Sequence, residues 1–319
     1  MKQRAYPQYL ALAAAVLLSL GIYLNQQAIR DWWVLRSYQP SAEVMALADA
    51  AGLSDDGRHL FYVSQPQIND RQSFNQHCTF TEKSLVLGCY AGSIIYVFNV
   101  DNSQLDGIEE VTAAHELLHA AYSRLGSAAR ERIDQLASQA LAELDDARVT
   151  ELIDGYRQDD SLSVANELHS ILGSEVRGLP PDLEAYYSQY FSDRLAVVAL
   201  AEDYEAVFTK LRARLDDLRQ TITELKDRIA ASEQRLTADK SALDAEAERL
   251  NGLRQNGQIA QYNAGVPAFN ADVNAYNSLI ETYKGQVAKH NQAVEQYNGI
   301  ALEQNQLVQS IDSQFQPID

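Results

Sequence analysis

The sequence predicts an α+β fold that is mostly α: an N-terminal transmembrane helix, a small mixed body carrying a short β-hairpin, and a long C-terminal antiparallel coiled-coil hairpin. Three observations predict it. An uncharged apolar run extends from about Tyr9 to Leu24. Two short stretches rich in Val, Ile, Leu, Tyr and Phe, Ser84 to Tyr90 and Ser93 to Val100, are separated by Ala91-Gly92 and read as paired strands. After Tyr204, apolar residues recur at heptad spacing.

The apolar run, with aromatic flanks Tyr6, Tyr9, Tyr23, Trp32 and Trp33, approaches the roughly 17 to 25 residues that cross a bilayer as a helix. Lys2 and Arg4 before it favour a cytoplasmic tip, although Arg30 and Arg36 on the other side weaken that bias. Leu24-Asn25-Gln26-Gln27 lacks the small-residue pattern of a cleavage site, so the run is read as a retained anchor in preference to a signal peptide. The expected protein is single-pass in the cell membrane with its body extracytoplasmic. The only two cysteines, Cys78 and Cys89, flank one turn-sized segment and read as a disulfide, which suits an oxidising space. A formal net charge of −18 and a pI near 4.7 repel phosphate backbones and exclude nucleic acid as a partner.

Between anchor and coiled coil the helices follow local signals. Ser41 caps a helix ending at Gly52, and Ser54 opens a second through Leu60 and Phe61. Asp106-Gly107-Ile108-Glu109 matches a capping box and opens a helix to Leu125. Helices are then expected over 128–144 and 147–156, and over a segment from Ser163 to Leu172 that stops at Gly173. Leu179-Pro180-Pro181 suits the start of one very long helix. Its seam runs through Phe208, Leu211, Leu215, Leu218, Ile222, Leu225 and Ile229, with Ser232, Asp239 and Glu246 as interruptions. A break is expected at Asn256-Gly257 and Gly265-Val266-Pro267, after which heptads resume from Val266 to Ile311. Two segments of similar length, each about 75 Å at 1.5 Å per residue, joined by a breaker argue for a hairpin. The domains expected are an anchor over 1–30, a body over 31–200 and the hairpin over 201–319.

The chemistry concentrates in His115-Glu116-Leu117-Leu118-His119. On a helix, positions i and i+4 lie one above the other, so His115 and His119 can direct ring nitrogens at one Zn2+ ion. Glu116 is turned aside by about 100° and suits the general base that takes a proton from an attacking water. A catalytic zinc wants a third protein ligand. The extended pattern HExxHxxGxxH is absent, since Tyr122 and Leu125 hold its Gly and His positions, which disfavours the metzincins.

Downstream, Asn166-Glu167-Leu168-His169-Ser170 is a helical Asn-Glu segment, and with it the region from about Ser93 to Phe191 resembles the gluzincins, the thermolysin-like zinc metallopeptidases. The resemblance implies a zincin-like catalytic domain, His115, His119 and Glu167 as zinc ligands, and Glu116 as general base. Glu175, His169 and Asp154 are rival third ligands. The gap from His119 to Glu167 is longer than in thermolysin and carries two extra helices. The resemblance also implies an oxyanion-binding Tyr or His, with Tyr186, Tyr187, Tyr190, His169 and Tyr122 as candidates, and a sheet edge for an extended peptide, for which the strand Ile94 to Asn99 is the candidate.

The function expected is a membrane-anchored zinc metallopeptidase acting on a protein or peptide substrate, with the coiled coil engaging a protein partner or a second copy. The alternatives are an envelope scaffold working through its coiled coil, with a structural or vestigial zinc site, and a zinc hydrolase of another amide such as a cell-wall peptide.

Overall fold

A computed structural model describes residues 6–78, 86–157 and 163–315. The chain divides into two compact units, one formed by Met1–Val207 with Val308–Asp319, the other by Phe208–Leu307. The sequence placed everything after residue 200 in the coiled coil, whereas the last residues return to the first unit. There Asn75 Nδ2 donates to the Ser313 carbonyl at 2.6 Å and the Arg71 guanidinium to the Gln309 carbonyl at 3.1 Å.

Short side-chain caps start several helices of the first unit. Ser41 accepts from the Val44 N–H ahead of α3 (Ala42–Ala50), and Ser54 from the Gly57 N–H ahead of α4 (Asp55–Val63), each satisfying an orphan donor of the first turn. They follow α1 (Tyr6–Leu24) and α2 (Gln26–Ser37). Among the described residues no single helix is long and apolar enough to cross a membrane; Tyr9–Leu24 and Gln26–Ser37 pass that test only as a pair, bent by 64°.

A three-stranded sheet follows, in the order β1 (Gln67–Asn69), β3 (Ile94–Phe98), β2 (Gly88–Ala91). β1 runs parallel to β3 with Gln67 opposite Tyr96, and β2 runs antiparallel with Gly88 opposite Val97. The sequence expected the two strands about Ala91-Gly92, of which Ser84 and Leu85 lie outside the described residues. It did not indicate β1, or α5 (Arg71–His77), which Asp70 caps through the Ser73 N–H at 2.8 Å. Three polar-rich residues carry too little periodicity to announce a strand; pairing with β3 makes one. The expectation that Ile94 to Asn99 offers a free edge is corrected, because β3 is the central strand and both its sides are taken.

Cys78, at the end of α5, and Cys89, in β2, form a disulfide with Cα atoms 6.0 Å apart. Closing so short a loop removes denatured-state entropy worth about 3 kcal/mol. Reduction is therefore expected to lower the stability of this unit by about that amount, read as a drop in the denaturant midpoint with dithiothreitol; an unchanged midpoint would refute it.

α6 (Ile108–Ser123) is the central helix of the unit. Its start differs from the expected capping box: the N-cap is Gly107 at φ +95°, without a side-chain cap bond, and the Glu109 carboxylate instead accepts the Val100 N–H at 2.7 Å. β2 and β3 pack against α6, as do α3, α4 and α9 (Val164–Glu175). Ile95 and Val97 of the sheet, Leu117 and Leu118 of α6, and Ile171 and Leu172 of α9 share one core cluster. α7 (Ser127–Glu143) and α8 (Ala147–Tyr156) bring Ile133, Ala137, Val149 and Ile153 into it.

The long helix expected from Pro181 is two helices, α10 (Pro181–Tyr187) and α11 (Arg194–Gln255). Tertiary hydrogen bonds break it: the Ser192 N–H donates to the Gly52 carbonyl at 2.8 Å, and the Tyr190 carbonyl accepts the Ser54 N–H at 2.9 Å. Buried Arg194 then closes the end of α9, donating to the carbonyls of Val176 at 2.7 Å and Arg177 at 3.0 Å.

In the second unit α11 and α12 (Ile259–Ile311) run antiparallel, as the Arg219–Tyr297, Ser232–Gln286 and Glu233–Tyr283 contacts show. The reversal uses only Asn256 to Gln258, with Gly257 at φ +78°. The expected break at Gly265-Val266-Pro267 is absent; α12 continues through Pro267. The carbonyl Pro267 leaves without a helical donor is that of Asn263, an exposed residue.

Candidate metal centre

α6 presents His115, Glu116 and His119 with one potential ligand atom from each within 4.8 Å of the others, a group that could hold a metal ion. The two imidazoles meet edge to face with centroids 4.7 Å apart. α9 crosses α6 and brings Glu167 to them: its Oε2 lies 3.5 Å from His115 Nε2, and its Oε1 lies 3.6 Å from His119 Nε2. Donors at 2.0 to 2.1 Å from a tetrahedral zinc sit about 3.4 Å apart, and the two Glu167 contacts, made through different carboxylate oxygens, are near that value. Two ring nitrogens and a carboxylate are also the donor types zinc takes.

The crossing depends on a close approach at Gly173, in the interior of α9. A Cβ there would run into the Leu118 side chain of α6 and stand 2.7 Å from the Tyr187 ring, both fully buried. The helix does not stop at Gly173, as the sequence suggested, but continues to Glu175. Gly173→Ala is expected to destabilise the unit by about 1–3 kcal/mol and to weaken metal binding by moving Glu167. Calorimetric unfolding and a metal titration check this; unchanged values would show that the contact yields.

The second ring nitrogens are also held. His119 Nδ1 is 3.2 Å from the Ser170 hydroxyl, one turn beyond Glu167 on α9. His115 Nδ1 faces Glu175 Oε1 at 3.8 Å, and Glu175 is bound in turn by Arg148 of α8 at 2.7 Å. Arg148 also pairs with Glu205 of α11 at 2.7 Å. Such outer partners orient metal-binding imidazoles.

Glu116 is 5% exposed and lies under β2. A Cβ on Gly88 would come within 2.7 Å of its Cγ and Oε1, so only glycine lets the strand pass this close. Phe98 donates to the Leu87 carbonyl, and antiparallel alternation then turns the N–H groups of Gly88 and Tyr90 away from β3. The Tyr90 backbone bonds the Glu116 carboxylate, while Oε2 is buried without a hydrogen-bond partner among the described residues.

Burial raises the Glu116 carboxyl to about 8, against the opposing charge of His115. Burial alone would lower the His115 imidazole, but its hydrogen bond to Glu167 and the charges of Glu116, Glu167 and Glu175 outweigh this and raise it to about 9. Burial, followed by the charge of His115, lowers His119 to about 4. Burial works against ionised Glu167, yet the two histidines hold its carboxyl below the ordinary range.

Of the other candidates, Glu175 sits behind His115, engaged by Arg148. His169 is fully buried, and its Nε2 is 3.0 Å from the Tyr186 hydroxyl. Asp154 forms an exposed ion pair with Arg157. The Tyr187 hydroxyl donates to the His169 carbonyl and that of Tyr122 to Asp134, while Tyr186 also bonds Tyr190. Each of the five oxyanion candidates thus has a polar atom engaged, Tyr122 with Asp134 of α7 and the others among themselves, while His169 Nδ1 is buried without a hydrogen-bond partner among the described residues. Gly88, Tyr90, Ser170, Arg148 and Glu205 were not singled out by the sequence. Only Ser170, inside the quoted Asn-Glu segment, carried a local signal.

No protein-family model matches the chain, and neither a curated protein nor a solved structure does so.

Proposed function

We propose that the chain is a membrane-anchored, extracytoplasmic zinc-dependent metallopeptidase in which His115, His119 and Glu167 hold the ion and Glu116 is the general base. The observation that carries this is the arrival of Glu167, from a separate helix, within 3.6 Å of both Nε2 atoms beside the buried, half-satisfied Glu116 carboxylate. Zinc held there supplies Lewis acidity, lowering the pKa of water and polarising a carbonyl. Glu116 would take one proton from the attacking water and return it to the leaving nitrogen, and the water's second proton would follow, so that one peptide bond is exchanged for a carboxylate and an ammonium group. Ser170 Oγ lies 3.2 Å from His119 Nδ1, and with the proton on Nδ1 the Nε2 lone pair faces Glu167. The apolar α1 supports the anchor and the disulfide supports the extracytoplasmic side.

The competing reading is an envelope scaffold working through its two long helices. It is favoured by the fact that none of the residues of the second unit belongs to the centre described above. Metal analysis of the purified full chain, with a peptide library and cell-wall fragments offered as substrates, decides between them. The peptidase reading expects about one zinc per chain and peptide cleavage that stops on chelation and returns with zinc. Bound zinc without turnover of any substrate would support the scaffold, and turnover of cell-wall fragments alone would assign another amide.

A further inference from the structure

The N-terminal helices carry a second set of observations, independent of the metal centre. α2 is bent by 64° from the preceding helix and carries three charges, Arg30, Asp31 and Arg36. Asp31 is 8% exposed and faces the body, where its carboxylate receives Arg124 at 2.8 and 3.1 Å and lies 3.7 Å from His59 Nε2. At 100° per residue, Ile29, Trp32, Trp33 and Arg36 all fall between about 100° and 200° from Asp31 and so form the opposite face. That face is bare: Trp32 is 54% and Trp33 62% exposed, with the two rings 5.2 Å apart and the Arg36 guanidinium 5.4 Å above Trp32. Tyr23 and Leu24, at the end of α1, are exposed as well.

We propose that α2 is an interfacial helix whose Ile29, Trp32, Trp33 and Arg36 face seats in the headgroup layer of a lipid bilayer. The inference rests on the reading of α1 as the anchor. α1 is about 28 Å long at 1.5 Å per residue, against the roughly 30 Å of a hydrocarbon core, and meets the test for a span only when α2 is counted with it. α2 is about 18 Å long, and at this bend it advances only about 8 Å along the axis of α1. That matches the roughly 5–8 Å headgroup layer of one leaflet, where tryptophan rings and arginine beside phosphate are both favoured. A continued span is disfavoured, because it would draw the Asp31–Arg124 pair and the body into hydrocarbon. Arg124 ends α6, the helix of His115 and His119, so the same ion pair ties the membrane face to the metal helix.

Trp32 and Trp33 are the only tryptophans in the chain, so its indole fluorescence reports this face alone. The full chain would be reconstituted in phosphatidylcholine vesicles, tested by flotation, and then compared in lipids brominated near the top or near the end of the acyl chain, with iodide as aqueous quencher. The expected result is flotation with at least twofold stronger quenching by the top-brominated lipid and protection from iodide. Flotation with strongest quenching by the end-brominated lipid, or with quenching by iodide alone, would overturn the interfacial placement while leaving the anchor intact. Failure to float would remove the anchor reading and this inference together, without touching the metal centre.

Discussion

Replacing Glu116 by glutamine is expected to leave zinc content unchanged and to lower kcat/KM for peptide hydrolysis by about 10²- to 10⁴-fold. Glutamine has the shape of the carboxylate and fits beneath Gly88 without new contacts, and its oxygen can still accept from the Tyr90 backbone. What it cannot do is take a proton from water. The comparison therefore isolates proton transfer from packing, which Glu116→Ala would not, since that change leaves a cavity in a buried site. Steady-state kinetics with metal analysis of both proteins is the measurement. Wild-type turnover in the glutamine variant would remove Glu116 as base.

Glu167→Ala is expected to weaken zinc binding by roughly a thousandfold, the scale of losing one of three protein donors, and to abolish hydrolysis at limiting zinc. Glu167 lies in the first turn of α9 and its side chain is 14% exposed, so alanine, a strong helix former, should leave the helix in place. Competition titration against a chelator of known affinity reads the effect. Undiminished affinity would strike Glu167 from the ligand set and turn attention to Glu175. For Glu175→Gln the expected loss is about 10- to 100-fold, because Glu175 stands behind His115 and acts through it. The order of the two effects thus separates a ligand from a residue that orients one.

Features set by neighbours in sequence were legible without coordinates. The one-turn offset of His115 and His119 is a property of any helix, so their shared face follows once the segment is helical. Ser41 and Ser54 are read as caps because their oxygens reach N–H groups only three residues ahead. The helix over 147–156, the two cysteines about one turn-sized segment and the heptads of α11 and α12 are local or periodic signals of the same kind. Local rules also misled where distant groups competed. Glu109 bonds Val100 instead of closing a capping box, and the backbone after α10 is drawn to Gly52 and Ser54.

The two histidines, the offset glutamate and a short set of downstream rivals, two of them acidic and the third His169, are legible in the residues alone, because helical periodicity fixes which side chains share a face. The fold adds which of Glu167, Glu175, His169 and Asp154 stands near both imidazoles: Glu167 does, because of how α9 crosses α6 at Gly173. It also decided that β2, and not β3, lies over Glu116, and that Ser170 stands behind His119. A crossing point is set by the packing of side chains far apart in the chain, and no periodicity within one helix records it.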